Sequence, residues 1–86
     1  MKNNSIFSAI SKEDAIEKLP LVEIVGQNRV LIENHRGVVG YSPVEIQIKV
    51  RYGKLSVAGS CLKFMQISRE QLVITGKIDS VTLCGR

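Results

Sequence analysis

The eight residues Val44-Glu45-Ile46-Gln47-Ile48-Lys49-Val50-Arg51 alternate strictly between apolar and polar side chains. Successive side chains of a β-strand point to opposite faces of a sheet, so this alternation predicts a strand with one buried face and one face in water. The predicted buried face comprises Val44, Ile46, Ile48 and Val50.

Alternation of the same kind runs through the chain from Leu21 onward and predicts a succession of strands at 21–25, 29–34, 44–51, 54–58, 61–67, 71–75 and 77–83. The glycines of Tyr52-Gly53, Gly59-Ser60 and Gly76-Lys77 suit two-residue hairpins because glycine tolerates positive φ, and Gly26-Gln27-Asn28 predicts a longer turn. On this pattern the buried face also includes Leu55, Val57, Leu62, Phe64, Leu72 and Ile74.

The first twenty residues have a different character. Ser11 is a suitable N-cap for a short helix with an acidic first turn, and Pro20 disfavours its continuation. We therefore expect an N-terminal arm with a short helix over 1–20 and a single β domain over 21–86. The arm is predicted either to dock on the domain or to act as a surface-seeking membrane anchor.

The predicted fold class is mainly β. We expect an antiparallel meander of six or seven short strands, curled into a small sandwich or roll, with the short N-terminal helix added. Strands 21–25 and 29–34 carry apolar residues on both faces, which indicates a central position in the sheet or a face covered by a partner. Open sheet edges and two-sided apolar strands also predict self-association, or a requirement for a partner for full stability.

Composition excludes several classes of protein. A chain of 86 residues with 44% hydrophobic residues is enough for one small domain. The net charge of +4 is mild, and aromatic residues are only 5% of the chain, too few for the stacking surfaces of single-strand nucleic-acid binders. No apolar run approaches a transmembrane helix, so the sequence predicts a cytoplasmic protein and leaves open a peripheral contact with a membrane surface.

The residue types needed for catalysis or metal binding are scarce. There is one histidine and there are two cysteines, Cys61 and Cys84, which we expect to be reduced. The chain has no G-x-S-x-G, P-loop or H-E-x-x-H motif, and its carboxylates are scattered. The sequence therefore predicts a protein that is not an enzyme and that has no metal or other cofactor.

The segment Glu33-Asn34-His35-Arg36-Gly37 combines mixed polar chemistry with turn-forming residues. Asn34 and Gly37 suit a turn, which leaves His35 and Arg36 at its tip. One interpretation is a well-formed turn in which Arg36 bends back to pair with Glu33 or Glu45. The other is a recognition loop, in which Arg36 offers its two-pronged guanidinium to a partner. The candidate partner-binding residues are Asn34, His35, Arg36 and Gly37.

A second candidate is a basic face formed by Lys49, Arg51 and Lys54, which flank the Tyr52-Gly53 turn. These cations would keep the hairpin soluble and discourage pairing between sheet edges. They would also suit contact with an acidic protein or with anionic lipid headgroups.

These motifs resemble the YabP/YqfC family of sporulation proteins, and within it the YqfC-like branch. The similarity covers roughly residues 19–83 and is densest at Ile32–Gly37; its other parts are Leu19-Pro20, Ile24–Gly26, Tyr41-Ser42, Glu45-Ile46, Gly53–Gly59 and Leu72–Ile78. Pro43 departs from the pattern, where a polar or acidic residue is expected, and the residues before Leu19 match less well.

The resemblance implies a small, non-enzymatic protein of the mother-cell programme in an endospore-forming bacterium, with a membrane-embedded protein partner encoded beside it. We therefore expect a sporulation protein that acts through protein–protein contacts. The alternative is a small nucleic-acid-binding β-barrel of the cold-shock or OB type, which the charge and size allow but the scarcity of aromatic residues opposes.

Overall fold

Residues 19–85 are described by the computed structural model of the protein, and they form strands and connections without a helix. The predicted N-terminal helix lies outside these residues, so the division into an arm over 1–20 and a domain over 21–86 stays a prediction. The six strands are β1 (Leu21–Val25), β2 (Arg29–Glu33), β3 (Val38–Tyr41), β4 (Glu45–Val50), β5 (Gly53–Ile67) and β6 (Gln71–Gly85).

All six strands belong to one antiparallel sheet with the order β1-β2-β6-β5-β4-β3. This confirms the mainly β, antiparallel class. The simple meander is wrong, however, because the consecutive strands β2 and β3 are not neighbours in the sheet. The β1–β2 hairpin pairs instead with the first part of β6, where Arg29 lies opposite Thr75 and Glu33 opposite Gln71.

Two strands are far longer than predicted. β5 and β6 have 15 residues each, and each joins two segments that the glycine pattern divided. Gly59 and Gly76 do not form hairpins; they lie at register shifts inside these strands, where the backbones approach closely. A Cβ at Gly59 would clash with the carbonyl of Lys77, and Gly76 has a φ of 136°. A glycine after an alternating segment suits a β-bulge as well as a turn, which is why the sequence pattern misled.

The sheet bends back on itself, as two hydrogen bonds on either side of one short connection demonstrate. The N–H of Asn34 donates to the carbonyl of Glu70 at 2.7 Å, and the N–H of Arg36 donates to the carbonyl of Lys49 at 2.6 Å. Residues two apart span at most about 7 Å. Lys49 lies beside Lys54, near the start of β5, whereas Glu70 follows the end of β5. If β5 were straight, its two ends would be roughly 45 Å apart. Only a strongly curved sheet brings these two ends together.

Curvature encloses one core, which contains side chains from β2, β4, β5 and β6. Its buried members are Val30, Ile32, Ile46, Ile48, Val50, Leu55, Val57, Leu62, Leu72 and Ile74. Phe64 packs against this cluster only partly buried, and its ring centroid is 5.5 Å from that of Tyr41.

The prediction for Val44 is wrong, because its side chain is 60% exposed. Val44 precedes β4 and belongs to a turn in which the Ser42 hydroxyl accepts hydrogen bonds from the N–H groups of Val44 and Glu45, at 3.3 Å and 3.0 Å. This serine turn interrupts the strand geometry, so the alternation that includes Val44 in sequence does not extend to it in space.

β3 was not predicted from the sequence. Its residues Val38-Val39-Gly40-Tyr41 do not alternate, and its pairing with β4 shifts register between Val38 and Gly40. A four-residue edge strand with a bulge carries too little pattern to be recognised without its neighbour.

Ile48→Asp should lower the free energy of unfolding by about 4 kcal/mol, because it places an unpaired carboxylate in the core. Ile48 is fully buried. Val44→Asp is the matched control, with an expected loss of about 0.5 kcal/mol or less at an exposed position. Chemical denaturation of both variants measures the difference, and equal losses would contradict the assignment of the faces.

Candidate functional site

The segment from Asn34 to Gly37 connects β2 to β3, and its first residue is held firmly by the fold. Asn34 has a φ of 63°, a left-handed conformation that asparagine tolerates better than most residues. Its side-chain Nδ2 donates to the carbonyl of Leu19 at 2.8 Å, in addition to the backbone bond to Glu70. Asn34 therefore joins the residues just before β1 to the β5–β6 turn.

His35 also makes hydrogen bonds within the fold. The N–H of Gly37 donates to its Nδ1 at 3.0 Å, and its Nε2 lies 2.9 Å from the carbonyl of Ser68. Because Nδ1 accepts a hydrogen bond, the ring proton belongs on Nε2, which donates to Ser68. Both ring nitrogens thus have partners inside the domain. Gly37 has a φ of 115°, which explains a glycine at this position.

Arg36 differs from its neighbours, because its side chain is exposed. Its backbone N–H bonds to Lys49, and the N–H of Lys49 donates to the carbonyl of Gly37 at 2.8 Å. This pairing places the loop alongside the last part of β4. The Arg36 side chain thereby comes to the end of the sheet that carries the predicted basic face.

A cleft of about 780 Å³ opens at this end of the sheet, and it is lined by Arg36 of the first candidate and by all three cations of the basic face. Its described walls include Arg36, Lys49, Arg51 and Lys54 and no acidic residue. The other lining residues are Val39, Val50, Tyr52, Gly53, Cys84 and Gly85. We call this feature the cationic cleft.

Strand register explains the density of positive charge. Lys49 lies opposite Lys54 across β4 and β5, and Lys54 lies opposite Cys84 across β5 and β6. Like charges directly opposite each other on a sheet repel, so this pair does not stabilise the hairpin. Both lysines are exposed, which limits that cost and leaves them available to an anion.

The turn between β4 and β5 adds an aromatic ring to the cleft. Tyr52 has a φ of 70° and a side chain that is 51% exposed. The guanidinium carbon of Arg51 lies 5.0 Å from the centroid of the Tyr52 ring, within the range of a cation–π contact. This contact orients two of the lining side chains relative to each other.

Glu45 lies on the same face of the sheet as Lys49, further from the β4–β5 turn. Its carboxylate is hydrogen-bonded to two neighbouring side chains. The hydroxyl of Ser56 donates to its Oε2 at 2.7 Å, and Gln47 Nε2 is 3.4 Å from that oxygen. These hydrogen bonds, that of Ser56 above all, lower the pKa of Glu45, and the charge of Lys54 lowers it further. The carboxylate therefore has partners of its own and is absent from the walls of the cationic cleft.

The structure brings together Arg36, Lys49, Arg51 and Lys54, which the sequence had placed in two separate candidates. It places Asn34 and His35 in hydrogen bonds within the domain. Whether any of these residues binds a partner stays a prediction. Sequence reasoning missed Val39 and Cys84 as neighbours of the basic face, because their position depends on strand pairing across the sheet.

Metal-ligand chemistry has no site within residues 19–85, where no three histidine, cysteine or acidic side chains come together. Cys61 and Cys84 are free thiols on the surface.

Comparison with known proteins assigns the chain to a family. The pattern of the YabP family matches residues 18–85, which include the whole cationic cleft. The chain belongs to the YabP family. It is 31% identical over 68 residues to the uncharacterized protein YqfC of Bacillus subtilis, a match that spans 79% of this chain and 73% of the relative. This agrees with the resemblance carried by Ile32–Gly37. No solved structure matches the chain.

Asn34→Ala should destabilise the domain by about 1–2 kcal/mol, because it removes the bond to Leu19 and places alanine at a positive φ. Arg36→Ala should change the free energy of unfolding by about 0.5 kcal/mol or less, since its side chain is exposed. Thermal or urea unfolding of the two variants tests this contrast. A larger loss for Arg36→Ala would assign the guanidinium a structural role.

Ser56→Ala should raise the pKa of Glu45 toward its ordinary value, because it removes the hydrogen bond that favours the charged form. The carboxyl signal of Glu45 followed by NMR against pH measures the shift. Thr82→Ala, on the far side of Ser56 in the same row of the sheet, is the control and should leave this pKa unchanged.

Proposed function

We propose that this protein is a non-enzymatic sporulation protein that acts through protein–protein contacts. In this proposal the cationic cleft binds an acidic segment of a membrane-embedded partner in the mother cell. Sporulation, the mother cell and the membrane partner come from the family resemblance. The identity of the binding surface comes from the geometry of the cleft.

The observation that carries the proposal is the convergence of Arg36 with Lys49, Arg51 and Lys54 at one opening. The repulsion between Lys49 and Lys54 brings no benefit to the fold, so a carboxylate in the cleft would relieve it. Arg36 adds a planar guanidinium that can hold a carboxylate through two parallel hydrogen bonds. The cleft volume of about 780 Å³ lies within the range of pockets that enclose a ligand.

An acidic protein segment suits this cleft better than a nucleic acid does. Single-strand binders use a series of exposed rings on which bases stack. Among the aromatic side chains of residues 19–85, only Tyr52 lines the cleft, whereas Tyr41 and Phe64 contact each other elsewhere. The charges there can hold an anion, but the rings do not form a track for successive bases.

The partner is expected to supply the membrane attachment. Within residues 19–85 there is no helix that could cross a bilayer. An exposed cationic cleft could reach a short acidic segment just outside the membrane. We therefore propose that this protein is cytoplasmic and is held at the membrane surface by its partner.

Lys49→Glu combined with Lys54→Glu should reduce capture of the partner at least tenfold, because it replaces attraction by repulsion. Tagged protein purified from detergent-solubilised sporulating cells, followed by mass spectrometry, measures the yield of co-purified membrane protein. Capture by the wild type should also fall steeply as salt is raised, and the residual capture by the variant should not.

Lys63→Glu combined with Lys77→Glu is the matched control, since both lysines are exposed and neither lines the cleft. It makes the same change in net charge and should retain capture. Equal capture by the cleft variant and the wild type would contradict the proposal, as would an equal loss in the control. Loss of capture after nuclease treatment would instead identify a nucleic acid as the ligand.

A further inference from the structure

The last part of β6 forms an open edge of the sheet. Its first part pairs with β2 as far as Thr75, and Gly76 and Ile78 donate to the carbonyls of Asn28 and Gln27 at 3.2 Å and 2.8 Å. Over 79–85, β6 pairs with β5 on one side, and on the other side no strand within residues 19–85 accompanies it. Every residue of this segment is exposed except Val81, which is half-buried.

This edge lacks the features that keep sheet edges apart. From Ser80 to Gly85 it pairs with β5 without a register shift, and these six residues include neither proline nor a charged side chain; the charged Asp79 lies at the beginning of the segment. The other described edges each carry a feature that disfavours pairing: β3 is short and bulged, the last part of β5 has register shifts and Lys63, and β1 has Glu23 at its centre. Long, regular and uncharged edges readily pair with another strand.

We infer that two copies of this protein associate by antiparallel pairing of their β6 edges, with the two-fold axis at Thr82. The sequence Ser80-Val81-Thr82-Leu83-Cys84 is self-complementary about that residue. Two-fold symmetry requires the same patch on both copies. Thr82 would lie opposite Thr82 of the second copy, and each Leu83 opposite Val81.

This register completes the apolar rows of the sheet. Leu83 lies next to Leu55, which is buried and lies next to Ile48, yet Leu83 at the end of that row is 64% exposed. In the dimer, Val81 of the second copy continues the row beyond Leu83 and covers it. Val81 is already packed against its own core, so the two cores become neighbours across the axis.

The opposite face of the pairing is polar and uncharged. Thr82 meets Thr82, a pair that forms favourable cross-strand contacts, and Cys84 meets Ser80. Because the axis is perpendicular to the sheet, the two cationic clefts, each bordered by Cys84, lie on the same face of one continuous sheet.

The edge at β1 is a poorer choice for the same symmetric pairing. Leu21, Ile24 and Val25 are more than half exposed there, but Glu23 is the central residue of the strand. Symmetric pairing centred on β1 would set two glutamates opposite each other, which is destabilising. The β6 edge has no such repulsion.

Sedimentation equilibrium of the full chain should give the mass of two chains, and this dimer should dissociate on dilution. Thr82→Lys and Thr82→Glu should each give a monomer, because each sets like charges opposite each other at the axis, and its thermal midpoint should equal that of wild-type protein diluted to the monomer. An equimolar mixture of the two variants should regain the mass of two chains, since lysine then faces glutamate. Gln66→Lys, on the exposed last part of β5, is the control and should remain a dimer.

Hydrogen exchange provides the second measurement. The amides of 79–85 that point away from β5 should be protected in wild-type protein at high concentration and should lose that protection in Thr82→Lys, whereas those that donate to β5 should stay protected in both. A monomeric wild type, a dimer that tolerates Thr82→Lys, or a mixture that fails to associate would overturn the inference. Protection of the amides that point away from β5 that does not depend on concentration would also overturn it, and would indicate that residues 1–18 cover this edge.

Discussion

Two backbone hydrogen bonds, from Asn34 to Glu70 and from Arg36 to Lys49, hold the opposite ends of the sheet together. The remainder of the architecture depends on this junction. It allows the β1–β2 hairpin to pair with the first part of β6 while β3 continues beside β4, on the far side of the same sheet. It also brings the apolar side chains of β2 and the first part of β6 against those of β4 and the first part of β5, so that they share one core. The Asn34–Gly37 segment therefore has a structural role, connecting the two ends of the sheet, that could not be inferred from its polar residue types.

Closure requires β5 and β6 to bend, and glycine makes that possible. Gly59 and Gly76 lie where the two backbones approach too closely for a side chain, and the pairing shifts register there. A bulge sharpens the local twist of a strand pair. β5 and β6 can therefore bend yet remain continuous, with β4 paired along one part and β2 along the other. The same bends cause the exposed edge of β6, because β2 accompanies only its first part.

Both functional proposals concern surfaces that closure leaves open. The cationic cleft exists because the β2–β3 connection returns to the end of β4 and adds Arg36 to the lysines of the β4–β5 hairpin. The β6 edge exists because the sheet curves away from it. The cationic cleft would select its partner by charge, and the β6 edge would bind a second copy by backbone pairing and through the exposed Leu83. Both surfaces can therefore be occupied at the same time.

The sequence by itself determined the strand class, most of the buried face and the basic character of the β4–β5 hairpin. Each of these follows from local periodicity, since side chains two residues apart share a face whatever the rest of the chain does. Only the tertiary structure decided that Gly59 and Gly76 are bends and not turns, that Val44 is exposed, and that β3 exists. It also decided that Arg36 meets Lys49 and Lys54. Those outcomes depend on pairing between distant segments and on how closely backbones approach, and neither is encoded in the spacing of residues along one strand.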